Sequence, residues 1–364
     1  MIQKFIICLL VLYGSGKIAG QKQCNECVFI NSCPTANALQ TSSDPDILKK
    51  FQRSFCGFGE VAGVKRPKIC CSDFTSLNED PNEGNIESHR NLALLPDDCG
   101  ILLIEGRIIG GGLAEMYEYP WMALLMFLSL SRGIGKPIYK CGGTIINSRY
   151  ILTAAHCFDN PREVLTAVRV GEYNIKTEKD CDSVDCECHL QELEIQRKII
   201  HENYDKTSTE NDIALLRTKT IIDFEPRNVR PICLPVSEEL LYMNLAGKNL
   251  RVAGWGVYIN TVSKHSDVLQ KVIIPIWNED DCRNSKGDSD FETLKILCAG
   301  VKGKDSCSGD SGGPLMGEEE YLDKNRMVQF GVVSNGPRTC GSDQPGIYTD
   351  VTKYIYWILE NMEP

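Results

Sequence analysis

Eighteen cysteines are spread over 364 residues, and that density constrains the chain more than any other feature. They are too many for an ordinary cytosolic enzyme and too scattered for a run of zinc modules, so disulfide pairing in an oxidising compartment is the reading that remains. At about 100–200 residues per domain the length allows two or three units. The 42% hydrophobic and 24% charged content is ordinary globular composition and argues against wholesale disorder. Thirty-nine basic against forty-nine acidic residues leave a net charge of −10, and no basic block stands against them. A chain built around nucleic-acid phosphates is thereby disfavoured.

Lys4, the apolar run Phe5 to Tyr13, and the small residues Gly14, Ser15, Gly16, Ala19 and Gly20 have the layout of a secretory signal peptide over residues 1–20. The apolar part is about half of the ~20 residues that span a bilayer, and no other stretch is long enough, so a secreted protein without a membrane anchor is expected. Cleavage would leave seventeen cysteines, an odd number, and would move the charge from −10 to −12 by removing Lys4 and Lys17. Cys24, Cys27, Cys33, Cys56, Cys70 and Cys71 then crowd a segment, 24–71, too short to close a hydrophobic core. Crosslinks must supply what burial cannot, and spacing alone leaves fifteen pairings open. Residues 72–98 are rich in Asn, Asp, Glu, Ser and Pro and read as an exposed linker within a connecting and activation segment, 72–107.

From Ile108 the texture changes to short apolar runs broken by Gly, Pro and Asn: Met122 to Leu128, Thr144 to Leu152, Val164 to Val170, Ile213 to Leu216, Leu250 to Ala253, Lys271 to Ile276 and Val328 to Val333. These predict an antiparallel sandwich or barrel. Val351, Ile355, Ile358 and Leu359 recur at helical spacing and predict one terminal helix.

Gly309-Asp310-Ser311-Gly312-Gly313-Pro314 sets a serine between glycines, where the backbone can turn tightly and aim amides at one point. A serine hydroxyl needs a base to take its proton, and the oxyanion formed on attack needs two donors. Thr153-Ala154-Ala155-His156-Cys157 offers a histidine, and Asn211-Asp212-Ile213-Ala214-Leu215-Leu216 an acid at the head of an apolar strand. His89, His189, His201 and His265 lack such company and read as surface residues.

These segments, with Arg107-Ile108-Ile109-Gly110-Gly111, resemble those of trypsin-like serine proteases from about Cys99 to the C-terminus, and the six-cysteine unit resembles the clip domain of arthropod serine proteases. The resemblance implies an all-β protease domain, 108–364, of two perpendicular six-stranded antiparallel barrels with a C-terminal helix and the site between them. It implies Ser311 as nucleophile, His156 as general base, Asp212 as its orienting acid, and the N–H groups of Gly309 and Ser311 as oxyanion hole. Asp305 matches the floor of a substrate pocket that takes Arg or Lys, and Gly336 and Gly346 match its walls. Asn335 departs from the family, whose digestive members have an aromatic there.

The same resemblance implies a zymogen cut between Arg107 and Ile108 by another trypsin-like protease, the new ammonium of Ile108 then pairing with Asp310. Its disulfides would be Cys24–Cys70, Cys27–Cys56, Cys33–Cys71, Cys99–Cys233, Cys141–Cys157, Cys282–Cys298 and Cys307–Cys340. Cys181–Cys186 is the favoured further bridge, leaving Cys188 over. No cofactor is needed for the chemistry. Calcium at Glu172 and Asn174, closed by Glu192 or Glu194, is a possible structural ion, whereas zinc at Cys181, Cys186, Cys188 and His189 suits a secreted protein poorly. No Asn-X-Ser/Thr sequon is present, so N-glycosylation is not expected. Protein substrates such as prophenoloxidase, Spätzle-like or clotting precursors, and serpin inhibitors, would be the partners in haemolymph. The alternatives are a non-catalytic clip-domain homologue acting as a binding cofactor, and a digestive trypsin, which has no need of a tethered cystine module.

Overall fold

The computed structural model describes residues 27–33, 36, 51, 54–61, 64–71, 86–103, 111–130, 137–181, 186–187, 189–259, 264–286, 295–303, 306–307, 309–337 and 341–364. They fall into two compact units, 1–84 and 85–364. The expected signal segment, Cys24, the Arg107–Ile108 bond, Cys188, Asp305 and Cys340 lie outside the described residues.

In the first unit β1 (Cys27–Phe29), β2 (Phe55–Val61) and β3 (Val64–Cys70) form one antiparallel sheet in the order β1-β3-β2. Among the described residues Cys33, Ala36, Phe51, Ile69 and Cys71 form a small apolar cluster, with Val28 and Ile30 packed against it. The bridges Cys27–Cys56 and Cys33–Cys71 fasten it, and Cys70 is also disulfide-bonded. So small a core cannot offset chain entropy alone, and each such bridge typically adds ~2–4 kcal/mol.

The second unit runs β4 (Gly112–Leu113), β5 (Met122–Ser129), β6 (Ile138–Ile145), β7 (Tyr150–Thr153), β8 (Glu163–Val170), a short hairpin of β9 (Asp180–Cys181) and β10 (Cys186–Glu187), β11 (Gln191–Ile200) and β12 (Ala214–Thr218). Strands β11-β12-β7-β6-β5-β8 close into a six-stranded barrel. It is filled by side chains such as Phe127, Ile145, Tyr150, Leu152 and Leu215. The run Thr144 to Leu152 is two strands, because the Asn147 side chain accepts the N–H groups of Arg149 and Tyr150 and turns the chain.

Next come β13 (Asn249–Gly254), β14 (Val257–Ile259), β15 (Lys264–His265), β16 (Gln270–Pro275), β17 (Ile296–Ala299), β18 (Pro314–Tyr321), β19 (Lys324–Asn335) and β20 (Gly346–Asp350). They build the second half of the expected two-barrel architecture. The order β17-β20-β19-β18-β13-β16-β4 is a curled seven-stranded sheet. β4 takes the first part of the free edge of β16, with Gln270 opposite Leu113 and Lys271 opposite Gly112. The curl returns on itself where Ile276, just after β16, bridges Ala299 of β17, the Trp277 N–H donating to the Cys298 carbonyl and the Gly300 N–H to the Pro275 carbonyl.

The terminal helix Ile355–Glu360 buries Ile355, Trp357, Ile358 and Leu359 in the barrel core, while Val351 belongs to a preceding 3-10 turn. That helix also corrects the reading of two histidines. His201 is buried, its ring 5.0 Å from Trp357 and 5.4 Å from Tyr354. His89 meets Glu360 at 2.7 Å with its side chain only 5% exposed. Residues 86–98, expected to be solvated linker, are likewise partly held down. Leu92, Leu94 and Leu95 pack on the barrel core, and the Asn91 amide donates to the carbonyls of Leu359 and Met362. Among the described residues no helix is long and apolar enough to cross a membrane.

Candidate active site

Three backbone features bring the sequence-predicted residues together. Ala214 pairs with Thr153 where β12 meets β7, so the residues flanking that pair meet at one end of the barrel. His156 lies in the 3-10 turn Ala155–Phe158 that follows β7. Asp212 precedes β12, and Asn211 before it has a φ of 54°, a left-handed conformation that asparagine tolerates. The Asn211 amide donates to the Asn203 carbonyl, and its Oδ1 accepts the hydroxyl of Tyr354. That turn aims the next carboxylate inward. Its Oδ1 accepts the His156 N–H at 2.8 Å, and its Oδ2 lies 2.7 Å from His156 Nδ1.

Asp212 is 1% exposed. Burial pushes its carboxyl up, but the hydrogen bond and charge of His156 and the hydroxyl of Ser334 outweigh this and hold it below the usual carboxylate range. Ser334, at the end of β19, donates to Oδ2, and Thr349 of β20 donates to the Asp212 carbonyl at 2.7 Å. Ser334, Thr349 and Asn211 were not singled out from sequence. Asn211 stands in the quoted motif, whereas the other two belong to distant strands.

Ser311 sits in the turn entering β18. Gly142 of β6 donates its N–H to the Ser311 carbonyl at 2.8 Å. Gly312, at a φ of 78°, lies so close to Thr153 Oγ1 and the Gly142 carbonyl that a Cβ would collide with both. The serine turn is thus seated on the strand that leads into His156. Cys141 and Cys157, near the imidazole, are joined to each other and offer no metal ligand.

The Asp310 side chain is enclosed: Oδ1 accepts the Gly256 N–H at 2.8 Å and Oδ2 the Cys307 N–H at 2.9 Å. Neither Gly254 nor Gly256 has room for a Cβ beside it. Loss of solvent pushes this carboxyl up to about 6, while the two amides and the charge of His265 pull the other way. Gly336 and Gly346 face each other, a Cβ at Gly336 lying 3.9 Å from the Gly346 Cα. Tyr348 donates its hydroxyl to Ser306 Oγ at 2.8 Å, next in sequence to Asp305.

The calcium expectation changes in its details. Glu172 is buried, its Oε2 2.9 Å from Arg169 and its Oε1 without a hydrogen-bond partner among the described residues. Arg169 also holds Glu192, and Glu194 pairs with Lys219 at 2.7 Å, so neither closes the loop. Asp180 does, accepting the N–H groups of Tyr173 and Asn174 and the Thr177 hydroxyl, close enough for its charge to act on Glu172. An orphaned buried carboxylate oxygen beside a second buried carboxylate fits a hard cation.

A trypsin family model matches residues 108–358. The CLIP domain-containing serine protease HP8 of Bombyx mori is 39% identical over 99% of this chain and 98% of its own length. The chain belongs to the clip-domain serine proteases of the trypsin family. Among other relatives, phenoloxidase-activating factor 1 of Holotrichia diomphalia is 35% identical over 93% of this chain and 91% of its own. The Spaetzle-processing enzyme of Drosophila melanogaster is 33% identical over 97% and 93%. The crystal structure of the Drosophila Grass clip serine protease of the Toll pathway superposes with a TM-score of 0.62 at 31% identity, covering 93% of this chain and 94% of that one. As in other clip-domain proteases, disulfides are central to the framework. Here Cys99–Cys233, Cys141–Cys157, Cys181–Cys186 and Cys282–Cys298 are joined, and Cys307 is also disulfide-bonded.

Proposed function

We propose that this clip-domain protease is a secreted zymogen which, once cut at Arg107–Ile108, hydrolyses protein substrates after Arg or Lys in a haemolymph cascade. The observation that carries the reading is the buried Asp212 carboxylate, held by His156 and Ser334 beside the seated turn of Ser311. Asp212 accepts the Nδ1–H of His156, which leaves Nε2 as the base. Ser311 attacks the scissile carbonyl as Nε2 takes its proton, and the N–H groups of Gly309 and Ser311 stabilise the oxyanion. His156 then protonates the leaving amine, and water hydrolyses the acyl-enzyme by the same route.

Asp305 would meet the substrate cation at the foot of a slot left open by Gly336 and Gly346, because a carboxylate enclosed there needs a positive partner. The polar pair Tyr348–Ser306 beside it suits a charged guest. In the uncut chain Asp310 accepts two amides and, among the described residues, meets no ammonium, and Ile108 would bring one. Calcium, held by Glu172 and Asp180, would brace the 171–181 loop and takes no part in the reaction. Relatives named for phenoloxidase activation and Spaetzle processing favour a cascade step at a protein precursor, with a trypsin-like activator upstream and serpins as inhibitors.

The test is hydrolysis of an arginyl amide by the nicked full-length chain. Activity is expected from the wild type, with loss in Ser311→Ala and loss of the arginyl preference in Asp305→Ser. A folded, nicked wild type inert toward arginyl and lysyl substrates and toward organophosphate labelling would leave the binding-cofactor reading in its place.

A further inference from the structure

Lys271 and Glu118 form an ion pair that the chemistry above does not use. The Lys271 ammonium lies 2.7 Å from Oε1 and 2.5 Å from Oε2 of Glu118, and the residues are only 6% and 9% exposed. Burying two charges rarely gains stability over a well-packed apolar pair, and the best-attested return is register. Register is what these two residues can fix, because they join separate parts of the unit. Lys271 belongs to β16 of the curled sheet, and Glu118 to the strap running from β4 into the closed barrel. Glu118 Oε2 also accepts the Glu115 N–H at 2.8 Å, and Ala114 donates to the Leu269 carbonyl at 2.9 Å. The strap is therefore pinned at Gly112, Ala114 and Glu118.

The pinning sets a reach. Gly112 is opposite Lys271, Lys271 is opposite Ala253 on β13, and the next residue, Gly254, abuts the Asp310 carboxylate. From β4 across β16 to β13 is two strand spacings, about 10 Å. The four Cα-to-Cα steps from Ile108 to Gly112 span at most about 13–14 Å. An anchor at Gly112 thus leaves a leash long enough to arrive at Asp310 with little slack. A strap that slid by one residue would turn its side chains to the other face and spend much of that margin.

We propose that Lys271 and Glu118 are a positioning pair for activation, fixing the point from which the new terminus reaches Asp310. This rests on the activation reading given above. The test uses the full chain nicked by immobilised trypsin, as wild type and as Glu118→Met/Lys271→Met, which removes both charges and leaves neither unpaired. One readout is the rate at which cyanate carbamylates the Ile108 amine; the other is the high-pH limb of kcat/KM on an arginyl amide.

The double variant should unfold within a few degrees of wild type, carbamylate about tenfold faster, and show its alkaline limb about one pH unit lower, since an ammonium held tenfold less tightly titrates one unit earlier. Should that variant fold poorly, Glu118→Asp, which keeps the charge and shortens the arm, is read on the same limb. An Ile-Ile dipeptide added to the uncut chain supplies an ammonium without a leash, and should activate wild type and variant alike. Wild-type carbamylation rates and an unmoved limb in the variants would overturn the positioning role. If instead carbamylation leaves the nicked wild type fully active and the dipeptide does not activate the uncut chain, the activation reading itself fails.

Discussion

In the uncut chain the Asp310 carboxyl is pushed up from an ordinary value of 3.8 to about 6, chiefly because it is enclosed. The folded value lies above the unfolded one, so the fold holds the proton more tightly and loses stability as pH rises between these two values. Well below 3.8 the group is neutral in both states and costs nothing; well above 6 the cost is complete. The gap is worth about 3 kcal/mol at ~1.36 kcal/mol per pH unit. Asp310→Asn removes the titration, at a fixed offset for turning an amide NH2 toward the Cys307 or Gly256 N–H. That offset does not vary with pH. Urea unfolding of the uncut chain, carrying Ser311→Ala to prevent autolysis and followed by tryptophan fluorescence from pH 4 to 7, reads the difference. The stability of Asp310→Asn relative to its parent should rise by about 2–2.5 kcal/mol across that range, most of the full gap. After cleavage an ammonium paired with Asp310 would hold its carboxyl down, so the parent's loss between pH 4 and 7 should disappear in the two-chain form. Parallel pH profiles for parent and variant in the uncut chain would refute the claim that cleavage relieves a desolvated acid without an ammonium partner among the described residues.

Ser334→Ala removes a donor from a buried carboxylate, a bond to a charged group worth about 1.5–3 kcal/mol, and should lower kcat/KM at neutral pH about tenfold with little change in KM. On a non-reducing denaturing gel the cut protein should run as one species, because Cys99–Cys233 spans the cleavage point, and Cys233→Ser should release two chains. At a hundredfold excess over Kd, calcium should raise the melting temperature by about 5–10 °C. Glu172→Gln should abolish the response, while Glu194→Gln, whose carboxylate is on Lys219, should keep it.

The sequence by itself determined the kind of protein and the chemistry it can attempt. A crowded cystine segment, turn-broken apolar runs, a serine among glycines, a histidine just after one apolar strand and an aspartate at the head of another are local facts, and the residue types of the last three are dictated by the reaction. Tertiary structure decided whatever depends on which strands become neighbours. Ser334 and Thr349 come from β19 and β20, more than a hundred residues from Asp212, and nothing in their own segments marks them as its partners. Asp180 rather than Glu192 or Glu194 stands by Glu172, because side-chain direction along β11 sends those two carboxylates to Arg169 and Lys219. His201 is buried against Trp357 of the C-terminal helix, and the leucines of residues 86–98 are half-buried on the barrel core while most of their polar neighbours stay exposed. Short-range patterns record what a residue could do at its site. Burial and pairing are set by segments far away in the chain, and only the closed fold brings those together.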